Sequence, residues 1–193
     1  MSASNETRHR KQGRARGRSC LRRWRRDESG TTAVEMAIVA VPFFMLMFGI
    51  IQLGYRFFAA EALETATAEG ARTIMTGQAQ RNAGIGSASD FRDQVLCNPA
   101  RRLVPDFMDC TKIVVDVRQL TAFSDPSFGA SAADLLMGGG GTYSPGGRNA
   151  IVVARDAYPL PAVAPGLIPG AVQINGEMKL PLLSTFVFRN EPF

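Results

Sequence analysis

The chain has 193 residues, enough for one domain or at most two, and 46% of them are hydrophobic, too many for a disordered chain. Three cysteines are too few for a dense disulfide scaffold, and the lone histidine, His9, removes most histidine-dependent catalysis and histidine-built metal sites. The formal net charge of +5 hides a split: residues 1–30 hold ten Arg or Lys against three acids, a net of +7, while the rest of the chain nets −2.

The basic leader, residues 1–30, comes first. Arginine-rich arms bind phosphate backbones, but Trp24 is the only aromatic residue here and no folded nucleic-acid module accompanies the tail. No nucleic-acid partner is expected. Arg22-Arg23 is a poor twin-arginine export signal, because Trp24-Arg25-Arg26 follows it instead of an apolar run.

From Met36 to Tyr55 there is no charged residue. A helix needs roughly 20 apolar residues to cross a bilayer core about 30 Å thick, and this run matches. A soluble-domain helix rarely carries a block such as Phe43-Phe44-Met45-Leu46-Met47-Phe48 on all its faces. Arg18, Arg22, Arg23, Arg25 and Arg26 precede the span, which predicts a cytoplasmic N-terminus and residues 56–193 outside, in the periplasm of a Gram-negative cell. Cys20 then lies on the reducing side, and Cys97 and Cys110 on the side where disulfides persist. Those two either remain free thiols or pair, and the compartment favours the pair.

Glu35 stands at the mouth of the span. A carboxylate at the hydrocarbon edge costs roughly 2.5–3.5 kcal/mol on insertion scales. It is either solvated at headgroup level or paired.

The segment Gly30-Thr31-Thr32-Ala33-Val34-Glu35-Met36, preceded by basic residues and followed by the apolar run, resembles the class III signal of type IV pilin-like proteins. More narrowly, the stretch from Gly30 to Gln78 resembles TadE-like minor pseudopilins of the tight-adherence (Tad/Flp) pilus system, and the final Phe186–Phe193 (FVFRNEPF) is similar to that family's C-terminal end. The resemblance implies that an aspartic prepilin peptidase cuts between Gly30 and Thr31, which makes Glu35 the fifth residue of the mature chain. It implies as partners other Tad pilins or pseudopilins and inner-membrane assembly proteins, and as role the support of a pilus or secretion filament. Pilins of this group carry Phe or Tyr after the glutamate; here Met36 stands in that place. A new ammonium at Thr31 would give a neighbour's Glu35 a partly desolvated partner and so set axial register between subunits.

Past Tyr55 the helix is expected to continue to about Thr76, a rod of roughly 70 Å, with Pro42 removing one hydrogen bond and introducing a kink. Ala60, Leu63, Thr67, Gly70, Ala71 and Ile74 share one face, and Glu61, Glu64, Glu69 and Arg72 the opposite one. The small-residue stripe suits close approach of another backbone, either an assembly partner or the chain's own sheet. Residues 77–110 read as a polar connection with one short helix near Asp90–Leu96. Strands are expected at Lys112–Leu120, Ala150–Ala157, Gly170–Ile174, Glu177–Leu183 and Thr185–Arg189, with Asn175-Gly176 as a hairpin turn and Pro181 interrupting.

The expected fold is therefore α+β, a long N-terminal transmembrane pilin-like helix continuing into a small antiparallel sheet domain. Its parts are a leader at 1–30, a transmembrane helix at 31–55, an amphipathic extension at 56–80 and an exterior domain at 81–193. The glycines at 138–141 and 146–147 lack a following Gly-Lys-Ser/Thr and read as a surface loop, and Pro159, Pro161, Pro165 and Pro169 as an irregular connector. With no histidine after residue 9, no catalytic triad or zinc motif can form outside; Asp90/Asp93 and Asp106/Asp109 read as surface acids. No enzyme activity, cofactor or metal is expected. Two further readings compete: an uncleaved inner-membrane anchor with a periplasmic interaction domain, and a secretory signal cut near Ala60-Glu61-Ala62.

Overall fold

The computed structural model describes residues 29–101, 103–124, 131–138, 141–162 and 169–193. His9, Cys20, Trp24, the leader before Ser29, two of the loop glycines and Pro165 lie outside the described residues. The chain divides into two compact units, Met1–Leu46 and Met47–Phe193. The described part of the first is helix alone.

Helix α1 runs unbroken from Ser29 to Met75, and Pro42 lies inside it without ending it. From Ala59 onward it is amphipathic. Ala59, Leu63, Ala66, Thr67, Ala71 and Ile74 are buried, whereas Glu61, Glu64 and Arg72 are exposed. Gly70 faces Leu96 and Phe91 so closely that a Cβ there would lie 2.9 Å from Leu96 Cδ2. The stripe expected from the sequence is thus filled by the chain's own domain, with Ala60 only half-buried at its margin.

The end of α1 is closed by the C-terminus of the chain. A helix leaves its last carbonyls without intrahelical donors. Here Glu191 N–H donates to Met75 O at 2.9 Å, and Gly77, at φ +72°, turns the chain as Gly77 N–H donates to Ile74 O. The Phe193 ring lies against Gly77, where a Cβ would approach it to 2.3 Å.

Short elements follow: α2 (Gln78–Arg81), α3 (Ala88–Phe91) capped by Ser87, a π-turn at Arg92–Leu96 and a 3-10 turn at Cys110–Lys112. The strands are β1 (Val114–Leu120), β2 (Ile151–Pro161), β3 (Val172–Ile174) and β4 (Glu177–Arg189), in the order β1-β2-β4-β3, all neighbours antiparallel. Helix α4 (Ala132–Met137), opened by a Ser131/Asp134 capping box, packs on the sheet. It falls in a stretch where the sequence suggested no element.

Register shows how the prolines fit. Ala162 N–H donates to Met178 O and Asn190 N–H to Ala150 O. Antiparallel pairs alternate between bonded and non-bonded, so Pro159, Pro161 and Pro181 all fall on non-bonded pairs of the β2/β4 ladder. None is asked to donate. Pro159 and Pro161 therefore lie inside a strand and not in an irregular connector. Pro181 does not interrupt, and the two strands expected at Glu177–Leu183 and Thr185–Arg189 are one. The strand expected from Gly170 starts at Val172, and the one expected from Lys112 starts at Val114 because the 3-10 turn takes up the preceding residues.

One sheet face carries Val115, Val117, Val152, Ala154, Tyr158, Leu160, Leu180 and Leu182 into the main core with the second half of α1. The other face carries Asp116, Val153, Arg155 and Ala157, and these too are buried. The edge of β1 is covered by residues 142–144: Val117 N–H donates to Thr142 O at 2.7 Å and Ser144 N–H to Val117 O at 2.8 Å. Gly141 makes this possible, since a Cβ there would sit 1.6 Å from Val115 O. It is a close backbone contact rather than part of a free surface loop.

Candidate functional site

The residues singled out at the N-terminus sit together on the first two turns of α1. Gly30, Thr31, Glu35 and Met36 are all exposed. Nothing lies within 4 Å of a Cβ built on Gly30. The helix starts at Ser29, so the Gly30–Thr31 peptide bond lies in its first turn, where backbone N–H groups lack intrahelical acceptors.

The stretch that follows is apolar, and from Val41 to Leu46 every residue is exposed. Its most apolar window has a mean hydropathy of 2.3 and no buried residue. Met36 and Ile38 are each 68% exposed, and Leu46 is 65% exposed. Burying such surface stabilises by roughly 25 cal/mol per Å², and these side chains stand exposed. In length, composition and exposure the helix fits a single-pass membrane anchor.

At the top of the apolar run the helix meets the sheet domain. Tyr55 and Phe58 flank Phe107, with ring centroids 5.2 and 5.5 Å apart respectively. Phe107 belongs to a loop closed by a Cys97–Cys110 disulfide, whose Cα atoms are 6.1 Å apart. Tyr158 Oη accepts from Asp109 N–H at 3.2 Å and ties the same loop to β2.

Sequence reasoning missed a buried ionic cluster. Asp116, in the middle of β1, is fully buried opposite Arg155. Its Oδ2 accepts from Arg155 Nε at 3.1 Å and from Nη2. Its Oδ1 accepts from Thr142 N–H at 3.0 Å, Thr142 Oγ1–H at 2.6 Å and Arg118 Nε at 2.9 Å. Burial pushes this carboxyl upward, but the hydrogen bonds from Thr142, Arg118 and Arg155 more than reverse that and hold it at about 2. On the helix-facing side, Asp156 is raised to about 7 by burial, against a hydrogen bond from Thr67 and with help from the Asp116 charge. The signal in the sequence was a charge at the centre of a β-branched run, VVDVRQL. Asp116 thus joins β1, β2 and the segment at Thr142.

The chemistry available elsewhere is thin. A groove of about 530 Å³ is lined by Thr73, Gln78, Ile85, Asp93, Gln94 and Arg101 among others, and it contains no nucleophile beside a base. Asp90 serves its own helix cap, accepting from Ser87 Oγ–H at 2.6 Å, and Asp109 accepts from Thr111 and pairs with Lys112. Among the described residues no group of three or more His, Cys, Asp or Glu is placed to hold a metal ion.

A family model described as TadE-like protein matches residues 30–72. The match opens at Gly30 and runs through the exposed apolar stretch into the buried half of α1. It does not extend to the sheet or to Phe186–Phe193. No curated protein and no solved structure matches the chain. Residues 30–72, within the long N-terminal helix, are thus similar to TadE-like proteins.

Proposed function

We propose that this chain is a minor pseudopilin-like structural component that supports assembly of a Tad/Flp-type pilus or secretion filament. The observation that carries the reading is the TadE-like match beginning at Gly30, on a helix whose apolar first half is bare and whose second half is built into a folded domain. Residues 1–30 form a cytoplasmic leader, 31–55 span the bacterial inner membrane, and 56–80 lead into a periplasmic domain at 81–193. The arginines of the leader set this orientation. In the periplasm the Cys97–Cys110 bridge persists.

Prepilin peptidase cuts after Gly30, and the freed Thr31 ammonium pairs with Glu35 of a neighbouring pilin. Storage in the membrane precedes extraction into the filament. The role is structural and not enzymatic. N-terminal sequencing of the membrane-purified protein should begin at Thr31, and Glu35→Gln should impair pilus formation while leaving the protein in the membrane. An N-terminus at Met1 with unchanged piliation in Glu35→Gln cells would sink this reading.

A second reading, an uncleaved single-pass anchor, draws on two features. The Gly30–Thr31 bond lies within helix, and Met36 replaces the aromatic residue of the pilin pattern. An intact leader and absence from sheared pili would favour it. A secretory cut near Ala60-Glu61-Ala62 is disfavoured, because Ala59, Leu63 and Ala66 are core residues of one continuous helix.

A further inference from the structure

We infer that the exterior domain is seated on the lipid surface itself, with Phe107 and the helix aromatics Tyr55, Phe57 and Phe58 forming a patch that occupies the headgroup layer of the outer leaflet. The inference rests on the membrane-spanning reading of α1 and goes beyond it by assigning a second lipid contact, from the sheet domain.

Two observations carry it. The first is position. The uncharged run Met36–Tyr55 has the roughly 20 residues that cover a core about 30 Å thick. Phe58 lies three residues further, about 4.5 Å along the axis. The polar interfacial layer is about 5–7 Å deep on each side. Phe107, in ring contact with both Tyr55 and Phe58, stands at that depth. The second is exposure. Phe57 is 67% exposed, Phe58 60% and Phe107 39%, a patch continuous with the bare apolar helix below it. Aromatic rings concentrate at this level of a bilayer because one end is apolar and the other tolerates water.

The loop bearing Phe107 is held for this contact by the Cys97–Cys110 bridge and by Tyr158. The neighbouring Asp109 carboxylate is occupied by Thr111 and Lys112, so it can stay at the water side.

The test uses the full-length chain in phosphatidylcholine vesicles brominated either near the headgroup or near the chain ends. Trp24→Phe removes the one native indole, and a single indole is then introduced by Phe48→Trp in the span, Phe107→Trp in the seat, or Phe123→Trp beyond the far end of β1. Phe107→Trp fluorescence should be quenched by bromine, with shallow bromines at least about twofold more effective than deep ones, as a ring at headgroup level requires. Phe48→Trp should be quenched by the deep label and Phe123→Trp by neither. Quenched Phe48→Trp with unquenched Phe107→Trp overturns the seat and leaves the span standing. No quenching of either removes both. Quenching of Phe107→Trp that vanishes as the protein-to-lipid ratio rises gives the patch to a second copy of the chain, and overturns lipid as its occupant.

Discussion

From Met36 to Leu46, α1 turns large apolar side chains outward on every face; from Ala59 to Ile74 the same helix buries mostly small ones on a single face and shows glutamates on the other. The backbone does not change between the two stretches. What changes is the medium each stretch is written for. Hydrocarbon accepts apolar atoms all round and needs no stripe, whereas a helix lying on a sheet must come close on one side and stay wet on the other. The small residues at Ala66, Gly70 and Ala71 resemble the close-packing faces of membrane helices. Here Leu96 and Phe91 already fill that contact, so an assembly partner must find its surface elsewhere.

The comparison can be broken in the sheet domain first. Asp116→Ala removes the buried carboxylate to which Arg155, 1% exposed, and the Thr142 hydroxyl both donate. Removing one partner of a buried ion pair costs about 3–5 kcal/mol. Denaturant unfolding of the detergent-solubilised chain should show that loss, and a variant as stable as the parent would mean the cluster carries no weight. A matched pair of leucines sharpens the contrast within α1. Leu63→Ala should destabilise the domain by about 2–5 kcal/mol because a cavity opens in its core. Leu46→Ala, on the bare stretch, should leave the unfolding midpoint unchanged and lower only the yield in the membrane fraction. Equal effects at the two positions would abolish the distinction.

The disulfide should matter next. Its cysteines are 13 residues apart, and closing a loop of that size contributes about 3 kcal/mol in the chain-entropy picture. Reduction followed by thermal unfolding reads it directly.

The two buried acids respond to pH in opposite senses. Asp156 sits at about 7 in the fold against 3.8 when unfolded, so the folded state holds a proton that the unfolded state has released between those values. Its contribution is complete below pH 3.8 and declines as pH rises toward 7. Asp116, at about 2, contributes above pH 3.8 and is lost as pH falls toward 2. In Asp156→Asn the decline between pH 4 and pH 7 should flatten; an unchanged slope would assign it to other groups. The smallest expected effect is at α4, where Ser131→Ala removes a cap worth about 1 kcal/mol.

Much of this was legible along the chain. The bare helix, its amphipathic continuation and the positions of β1, β2 and the Asn175-Gly176 turn follow from residue type and period, which are local properties. Pro159, Pro161 and Pro181 were misleading for a physical reason. A proline breaks a strand only where its missing N–H is needed, and need depends on register with another strand. The burial of Asp116 went unread for a related reason. Alternation in VVDVRQL assigns it to a second face, and alternation cannot say that this face is covered.

The sequence by itself determined which stretch of the helix is uncharged and apolar enough to enter hydrocarbon, because partition into hydrocarbon is close to a sum over consecutive side chains. Only the tertiary structure decided that Gly70 packs on Phe91 and Leu96, that Gly141 lets residues 142–144 close the β1 edge, that Phe193 seals the end of α1 at Gly77, and that Phe107 comes down beside Tyr55 and Phe58. Each of these joins residues distant in the chain, and no local pattern encodes which distant groups the folded backbone brings within van der Waals reach.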